Sequence, residues 1–267
     1  MKQIHELLGY DNIKIIQDDE MFSFSVDSML LADFIKTSYK TKRIVDLCCG
    51  NAPIPLFLTL KTKAEITGVE IQKEVYDMGC ESIKINNLEN QIQLINDDLK
   101  DIHKKIGSNG FDIVSCNPPY FKYKESSNIN KNDYLTIARH EVKATLEDIV
   151  IESKKLLNDG GYLYMVHRCD RFTEICEVFS KNCLQIKTLR FVYSKENNDE
   201  AKNDNNTRNG GTNSLLKMLE GVNLDKINEN LEGMKKILGV LGEFTKKESP
   251  SVNGRRTTSR PSRRYDD

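Results

Sequence analysis

Four consecutive residues, Asn117, Pro118, Pro119 and Tyr120, carry the strongest chemical signal in the chain. Asparagine offers a carboxamide oxygen as an acceptor, and the peptide carbonyls beside the prolines meet no N–H on the ring nitrogens. Each proline fixes its own φ and pushes the residue before it out of the helical region, so the turn is stiff and extended. Tyr120 adds a flat face for stacking. Two acceptors and one aromatic face suit a planar substrate with an exocyclic NH2 group, and adenine is the obvious case. Asn-Pro is also ordinary turn chemistry, so the setting decides between the two readings.

The setting is a strand end. Phe111 to Cys116 is short, apolar and partly β-branched, which reads as a buried strand stopped by the prolines. Upstream, Arg43 to Cys49 reads as a first strand, with Gly50-Asn51-Ala52-Pro53 as a turn and Pro53 opening a helix. Glu65 to Ile71 and Ile92 to Ile95 read as further strands, separated by a helix over Lys73 to Asn87. Downstream, residues 121–142 form a polar loop. A helix follows over Ala144 to Leu157, capped after its end by Gly160-Gly161, then a strand over Tyr162 to His167, a helix over Asp170 to Asn182 and a strand over Leu184 to Tyr193. Strands and helices alternating with short links imply an α/β fold, mainly a parallel sheet with helices on both faces. The start of the chain is polar and weakly patterned. Met21 to Val26 alternates like a strand or hairpin arm, and Asp27 is placed to N-cap a helix over Ser28 to Ile35. These elements define a domain over residues 1–195. Beyond it, residues 196–213 read as a disordered linker, 214–247 as a marginal amphipathic helical segment interrupted by glycines, and 248–267 as a disordered Arg-rich tail.

In open α/β sheets, ligands sit at the carboxyl ends of the strands. The first strand runs into Asp46-Leu47-Cys48-Cys49-Gly50-Asn51-Ala52, a turn that keeps Gly50 but is no G-x-G-x-x-G, and there is no Walker lysine, which disfavours a pyrophosphate ligand. About 20 residues on, Glu70 ends the second strand, where an acidic side chain accepts hydrogen bonds from ribose hydroxyls. Asp98 follows the third strand, within reach of an adenine amino group. Asp46 with Gly50, Glu70, Asp98 and Asn117 thus place polar groups at four strand ends in register.

With these residues in place, the chain resembles the class I S-adenosylmethionine-dependent methyltransferases of the Asn-Pro-Pro-Tyr type, a Rossmann-like fold, and within them the bacterial tRNA(Val) adenine-37 N6-methyltransferases. The likeness rests on Phe24-Ser25-Val26-Asp27-Ser28 with Leu30-Leu31-Ala32, on Asp46 to Asn51, on Asp98-Leu99-Lys100-Asp101, on Asn117 to Phe121, on Ala138-Arg139-His140-Glu141 and on Arg190 to Tyr193. It implies S-adenosylmethionine as cofactor, held by Asp46, Cys48, Gly50, Asn51, Glu70, Ile71, Asp98, Leu99 and Asn117, with Phe24 and Asp27 covering it from the N-terminal side. Asn117 and the Pro118 carbonyl would grip the target amino group and Tyr120 would stack on the base. Pro119, Phe121, Lys122, Arg139 and His140 would meet the RNA, the anticodon loop of a tRNA. Two departures stand out. Ala52 replaces a usual glycine, which would add a methyl group near the cofactor. The strand that normally follows Arg190 to Tyr193 is not found, the linker and helical segment standing in its place.

Composition sets outer bounds. The chain has 267 residues, 38% hydrophobic and 30% charged, with a net charge of −1 that gives no overall pull toward nucleic acid. With no apolar run of membrane length and no signal peptide, a cytoplasmic protein is expected, a monomer, with no membrane contact and no metal. The seven cysteines include no C-x-x-C pair and read as buried free thiols. His5, His103 and His167 read as structural or surface residues. Alternatives are methylation of a glutamine amide in a translation factor, which presents the same NH2 to two acceptors, methylation of adenine in DNA, and a non-catalytic RNA-binding protein built on a methyltransferase-like domain.

Overall fold

Each central strand sends alternate side chains to opposite faces of one sheet, and both faces are covered. Ile44, Ile66, Ile113 and Tyr164 join one apolar cluster, while their neighbours Val45, Val114, Leu163 and Met165 join another. The computed structural model describes residues 2–7, 10–18, 26–121, 141, 143–193 and 237–246. Its elements are β1 (Lys2–Leu7), β2 (Tyr10–Asp18), α1 (Val26–Phe34), β3 (Arg43–Leu47), α2 (Pro53–Thr59), β4 (Glu65–Glu70), α3 (Lys73–Ile85), β5 (Ile92–Asn96), α4 (His103–Ile106), β6 (Phe111–Cys116), α5 (Leu146–Leu156), β7 (Leu157–His167), α6 (Phe172–Lys181), β8 (Leu184–Tyr193) and β9 (Ile237–Lys246). The large sheet runs β5-β4-β3-β6-β7-β9-β8. Strands β3 to β7 pair in parallel, as the alternating pattern predicts.

The last strand corrects the reading of the C-terminal segment. Residues 237–246, expected within a helical segment, form β9, which lies antiparallel between β7 and β8 and joins them. The physical reason lies in Ile-Leu-Gly-Val-Leu-Gly-Glu-Phe. A strand inside a sheet covered on both faces needs a continuous apolar run rather than alternation, and such a run is ambiguous by periodicity alone. Gly239 and Gly242 each cost a helix about 1 kcal/mol. The strand that completes the sheet is therefore present. The linker over 196–213, the tail over 248–267 and residues 214–236 lie outside the described residues.

Three local readings also change. The polar start of the chain forms an antiparallel hairpin, β1 with β2. Its pattern is weak because successive residues are buried on different sides: Ile15 enters the main core and Ile16 packs with Val75 and Met78. The hairpin is bound to α3 by side chains that imitate a strand partner. Asn86 accepts from the Lys14 N–H (2.9 Å) and donates to the Lys14 carbonyl (2.6 Å), and Ser82 Oγ accepts from the Ile16 N–H (2.9 Å). Helix α5 opens on a Thr145–Asp148 capping box and stops at Leu156, with β7 starting at once at Leu157. Gly160 and Gly161 are thus not a helix cap. Gly160, at φ +75°, lies where the β6–β7 register shifts. Asp27, expected to N-cap α1, lies inside its first turn, and the far end of that helix is closed by Lys61, whose ammonium donates to the carbonyls of Ala32, Asp33 and Ile35. Met21 to Ser25 lie outside the described residues. No helix among the described residues is long and apolar enough to cross a membrane.

Candidate active site

The turn after β3 is built from left-handed residues: Cys48 (φ +57°), Gly50 (φ +57°) and Ala52 (φ +71°). It closes on itself and on β4, since the Ala52 N–H donates to the Cys49 carbonyl and the Cys49 N–H to the Val69 carbonyl, both at 3.0 Å. Close approach depends on a neighbouring glycine: a Cβ on Gly68 would lie 2.4 Å from Leu94 Cδ2 and 2.8 Å from Cys49 Sγ. The alternating left-handed residues leave the Gly50 N–H facing Glu70, whose Oε2 accepts it at 2.9 Å, while Oε1 accepts the Gln72 N–H at 2.9 Å. Glu70 is buried, which pushes its carboxyl up, against the pull of those backbone donors.

A cleft partly open to solvent lies at the carboxyl ends of β3, β4, β5 and β6. Of the residues read as cofactor ligands, it brings together Cys48, Gly50, Asn51, Glu70, Ile71, Asp98, Leu99 and Asn117, and Pro119, read as an RNA contact, lines it too. Asn51 faces the cleft while its amide donates to the Ile16 carbonyl at 2.7 Å, tying the hairpin to the cleft wall. Sequence reasoning misses the position next to Asp98: Asp97 also lines the cleft and is ion-paired with Lys105. Ser28, Pro53, Val75 and Lys143 line it too. Ser28 belongs to the Phe24–Ser28 stretch but carries no sequence signal of its own, and nothing in the sequence marks Lys143.

Two expectations are corrected. Asp46 does not line the cleft. It is fully buried in β3, pointing to the α1–α2–α3 face, where its Oδ1 accepts the Ser115 hydroxyl at 2.5 Å and its Oδ2 has no partner among the described residues. The Ala52 methyl lies in the core beneath the turn rather than against the cofactor cleft. Phe24, Lys122, Arg139 and His140 lie outside the described residues.

In the turn after β6, Asn117 is held at both ends of its carboxamide. Its Nδ2 donates to Ser28 Oγ at 3.0 Å, and its Oδ1 accepts the Tyr120 hydroxyl at 2.5 Å. The same hydroxyl lies 3.0 Å from Asp27 Oδ2. Burial and the Asp27 charge push the Tyr120 phenol well up, so it stays a hydroxyl. The Tyr120 ring packs 5.5 Å from that of His167, at 60°. His167 is buried, not a surface residue. Its Nδ1 accepts the Arg168 N–H at 2.9 Å, which puts the ring proton on Nε2, and that atom has no partner among the described residues. Arg171 holds the chain beyond the turn: its guanidinium donates to the Tyr120 carbonyl (3.1 Å), to Glu141 (2.8 Å) and to Glu174 (2.7 Å), and the Glu141 N–H donates to the Phe121 carbonyl (2.7 Å). Phe121 is exposed, with the Arg168 guanidinium 4.8 Å above its ring. Elsewhere, His103, read as a structural or surface residue, has its Nδ1 2.7 Å from Glu152 Oε1 beside Asp101, a cluster already balanced by Lys104 and Lys155.

Two buried groups make opposite contributions to stability. Burial pushes the Asp46 carboxyl up to about 8, against the Ser115 hydrogen bond and with a smaller push from Glu70. Between 3.8 and about 8 the folded chain therefore holds a proton the unfolded chain has lost, and stability falls as pH rises, by up to about 1.4 kcal/mol per unit. His167 is held down to about 4 from 6.5, chiefly by burial, and gives the opposite slope between those values. The window from 6.5 to 8 therefore separates Asp46 from His167. Asp46→Asn is expected to flatten the fall in melting temperature across that window, read by thermal denaturation at several pH values.

A profile for the methyltransferase small domain matches residues 12–193. Among curated proteins the chain is similar to the tRNA1(Val) (adenine(37)-N6)-methyltransferase of Actinobacillus pleuropneumoniae serotype 5b, with 23% identity over 199 residues, 68% of this chain and 81% of that one. It is also similar to the protein of the same name from Flavobacterium psychrophilum, with 20% identity over 161 residues, 60% of this chain and 67% of that one. In fold it is similar to Methanocaldococcus jannaschii Trm5 in complex with adenosine (TM-score 0.56, 14% identity, 93% of this chain and 56% of that one) and to M. jannaschii TYW2 in complex with AdoMet (TM-score 0.52, 14% identity, 92% and 86%). With the profile spanning most of the described sheet and the cleft in the place the fold reserves for a ligand, the chain belongs to the methyltransferase small domain family and is an S-adenosylmethionine-dependent methyltransferase.

Proposed function

We propose that the protein transfers a methyl group to the exocyclic N6 of adenine in RNA, with adenine 37 in the anticodon loop of tRNA(Val) as the target the curated relatives suggest by their names. The observation that carries the reading is Asn117, at the edge of the cleft, with its carboxamide held from both ends.

The cleft fits the cofactor chemically. Glu70 is the acidic strand end suited to ribose hydroxyls, Asp98 an acceptor for an adenine amino group, and Ile71 and Leu99 supply apolar walls for a flat base. When bound, S-adenosylmethionine supplies an electrophilic methyl group. The chain's own part is to prepare the nucleophile. The adenine amino nitrogen is poor because its lone pair is delocalised into the ring. Asn117 Oδ1 and the Pro118 carbonyl would accept its two N–H bonds and draw it toward tetrahedral geometry, turning the lone pair out of conjugation. Positioning and exclusion of water then do most of the work. Both prolines are buried, so the acceptors are fixed before the base arrives. At the rim, exposed Phe121 under Arg168 suits stacking of a nucleotide beside the target, and Lys122, Arg139 and His140 are the candidates for phosphate contacts.

The test is nucleoside mass spectrometry. Purified protein is incubated with S-adenosylmethionine and unmodified total tRNA, which is then digested. N6-methyladenosine is the expected product. Its absence from protein that binds the cofactor would overturn the RNA adenine reading.

A further inference from the structure

We propose that Asp27 on α1, acting through the Tyr120 hydroxyl, is a positioning residue for methyl transfer: it sets the orientation of the Asn117 carboxamide. The inference rests on Asn117 being the group that holds the target amino nitrogen, and deepens that reading.

A carboxamide turns about χ2, and its oxygen and nitrogen sides are nearly equal in shape. If it turns, an acceptor for the target N–H is replaced by a donor. Here that rotation is blocked at one end by Ser28 of α1 and at the other by Tyr120, whose hydroxyl meets Asp27 of the same helical turn. Ser28 Oγ meets Nδ2 at 3.0 Å, and the Tyr120 hydroxyl meets Oδ1 at 2.5 Å. The hydroxyl is in turn anchored by Asp27 Oδ2 at 3.0 Å. The anchor is stiff because Tyr120 follows two buried prolines, its ring packs on His167 and its carbonyl is held by Arg171. Helix α1 is stiff as well, with Lys61 closing its last turn. The hydroxyl carries a single proton, which goes either to Asn117 Oδ1, the shorter contact at 2.5 Å, or to Asp27 Oδ2 at 3.0 Å. Which neighbour receives it fixes whether Tyr120 faces the carboxamide as donor or as acceptor, and so which carboxamide atom is committed to it. Asp27, the charged member, competes for that proton and so biases the choice. Helix α1 also places Ser28 in the cofactor cleft, so one turn addresses both substrates.

The experiment uses the full chain with Asp27→Ala, Asp27→Asn, Tyr120→Phe and the Asp27→Ala/Tyr120→Phe double variant. Rates with tRNA are measured at saturating S-adenosylmethionine, alongside cofactor affinity by calorimetry. Asp27→Ala and Tyr120→Phe are each expected to lower kcat by about 10–100-fold, with KM for RNA and cofactor affinity within about threefold of wild type. The double variant should be no worse than the poorer single, because both changes cut one chain of contacts. Asp27→Asn, which keeps an acceptor oxygen, should recover most of the loss. An unchanged kcat in Tyr120→Phe, or losses that multiply in the double variant, would overturn the proposal. A second readout does not depend on the RNA. The side-chain amide signals of Asn117, assigned in 15N-asparagine-labelled protein, should be one sharp pair in the wild type and should shift or broaden in Asp27→Ala and Tyr120→Phe. Unmoved signals overturn the inference even if the wild type methylates tRNA. A wild type that makes no N6-methyladenosine, with Asn117 signals that do respond, would instead remove the substrate reading and leave the positioning network standing.

Discussion

Asn117→Ala is expected to reduce methyl transfer to RNA by about 10²–10³-fold, the usual loss when a preorganised polar group at the reacting atom is removed. The loss should fall on kcat. Cofactor affinity should hold, because the cleft keeps Glu70, Asp98, Ile71 and Leu99, and the Gly50–Glu70 contact does not involve Asn117. The melting temperature should drop little. Tyr120 retains Asp27, and Ser28 is left beside a cleft that water can enter. Total tRNA and radiolabelled cofactor suffice for the rate, with calorimetry for binding. A variant that keeps near wild-type kcat would mean the target nitrogen is held elsewhere. A variant that loses cofactor binding would mean Asn117 serves the cleft rather than the target.

Removing β9 is expected to unfold the protein. Within the described sheet, β8 reaches the rest of the domain's strands only through β9, which pairs with β7 from Tyr162 to His167 and with β8 from Leu184 to Tyr193. A chain ending at residue 194 would expose the edge of β7, leave β8 unpaired and loosen Phe172 and Phe179, which share an apolar cluster with Leu184, Ile186, Leu189 and Phe191. The expected result is aggregated protein with no cooperative melting transition. Gly242→Pro is a finer probe. Gly242 lies opposite Met165 on one side and Leu189 on the other, so proline removes a ladder donor from an interior strand and is expected to lower the melting temperature sharply. A soluble truncated chain with a sharp transition would show that the five parallel strands suffice.

The parallel strands were legible because each is a short apolar run followed by turn residues and a helix with its own pattern. Gly50, Glu70, Asp98 and Asn117 were legible for the same reason: a strand end is a position that spacing can locate. What spacing cannot supply is how far along the sheet a side chain sits. Asp46 is near the end of β3 like Glu70 near the end of β4, and both face the same side of the sheet, yet Asp46 is paired with Gly68, two residues short of Glu70, so it lies in the core while Glu70 reaches the cleft wall. Asp27 had the residue type and place of a helix cap, and only the approach of Tyr120 from 93 residues away gives its carboxylate another partner. Strand β2 was hidden by burial on two sides, which erases the alternation that marks a half-exposed strand, and β9 by an apolar run with no alternation of its own.

The side-chain bond from Asn51 to the Ile16 carbonyl makes the N-terminal hairpin part of the cofactor's thermodynamics. Asn51 lines the cleft on one side and holds β2 on the other, while Ser82 and Asn86 hold β2 to α3. A ligand that favours the ordered cleft must also favour the docked hairpin, and by reciprocity a docked hairpin must raise the affinity for that ligand by the same factor. Opening of the hairpin and loss of a ligand from the cleft are then two readings of one coupling free energy.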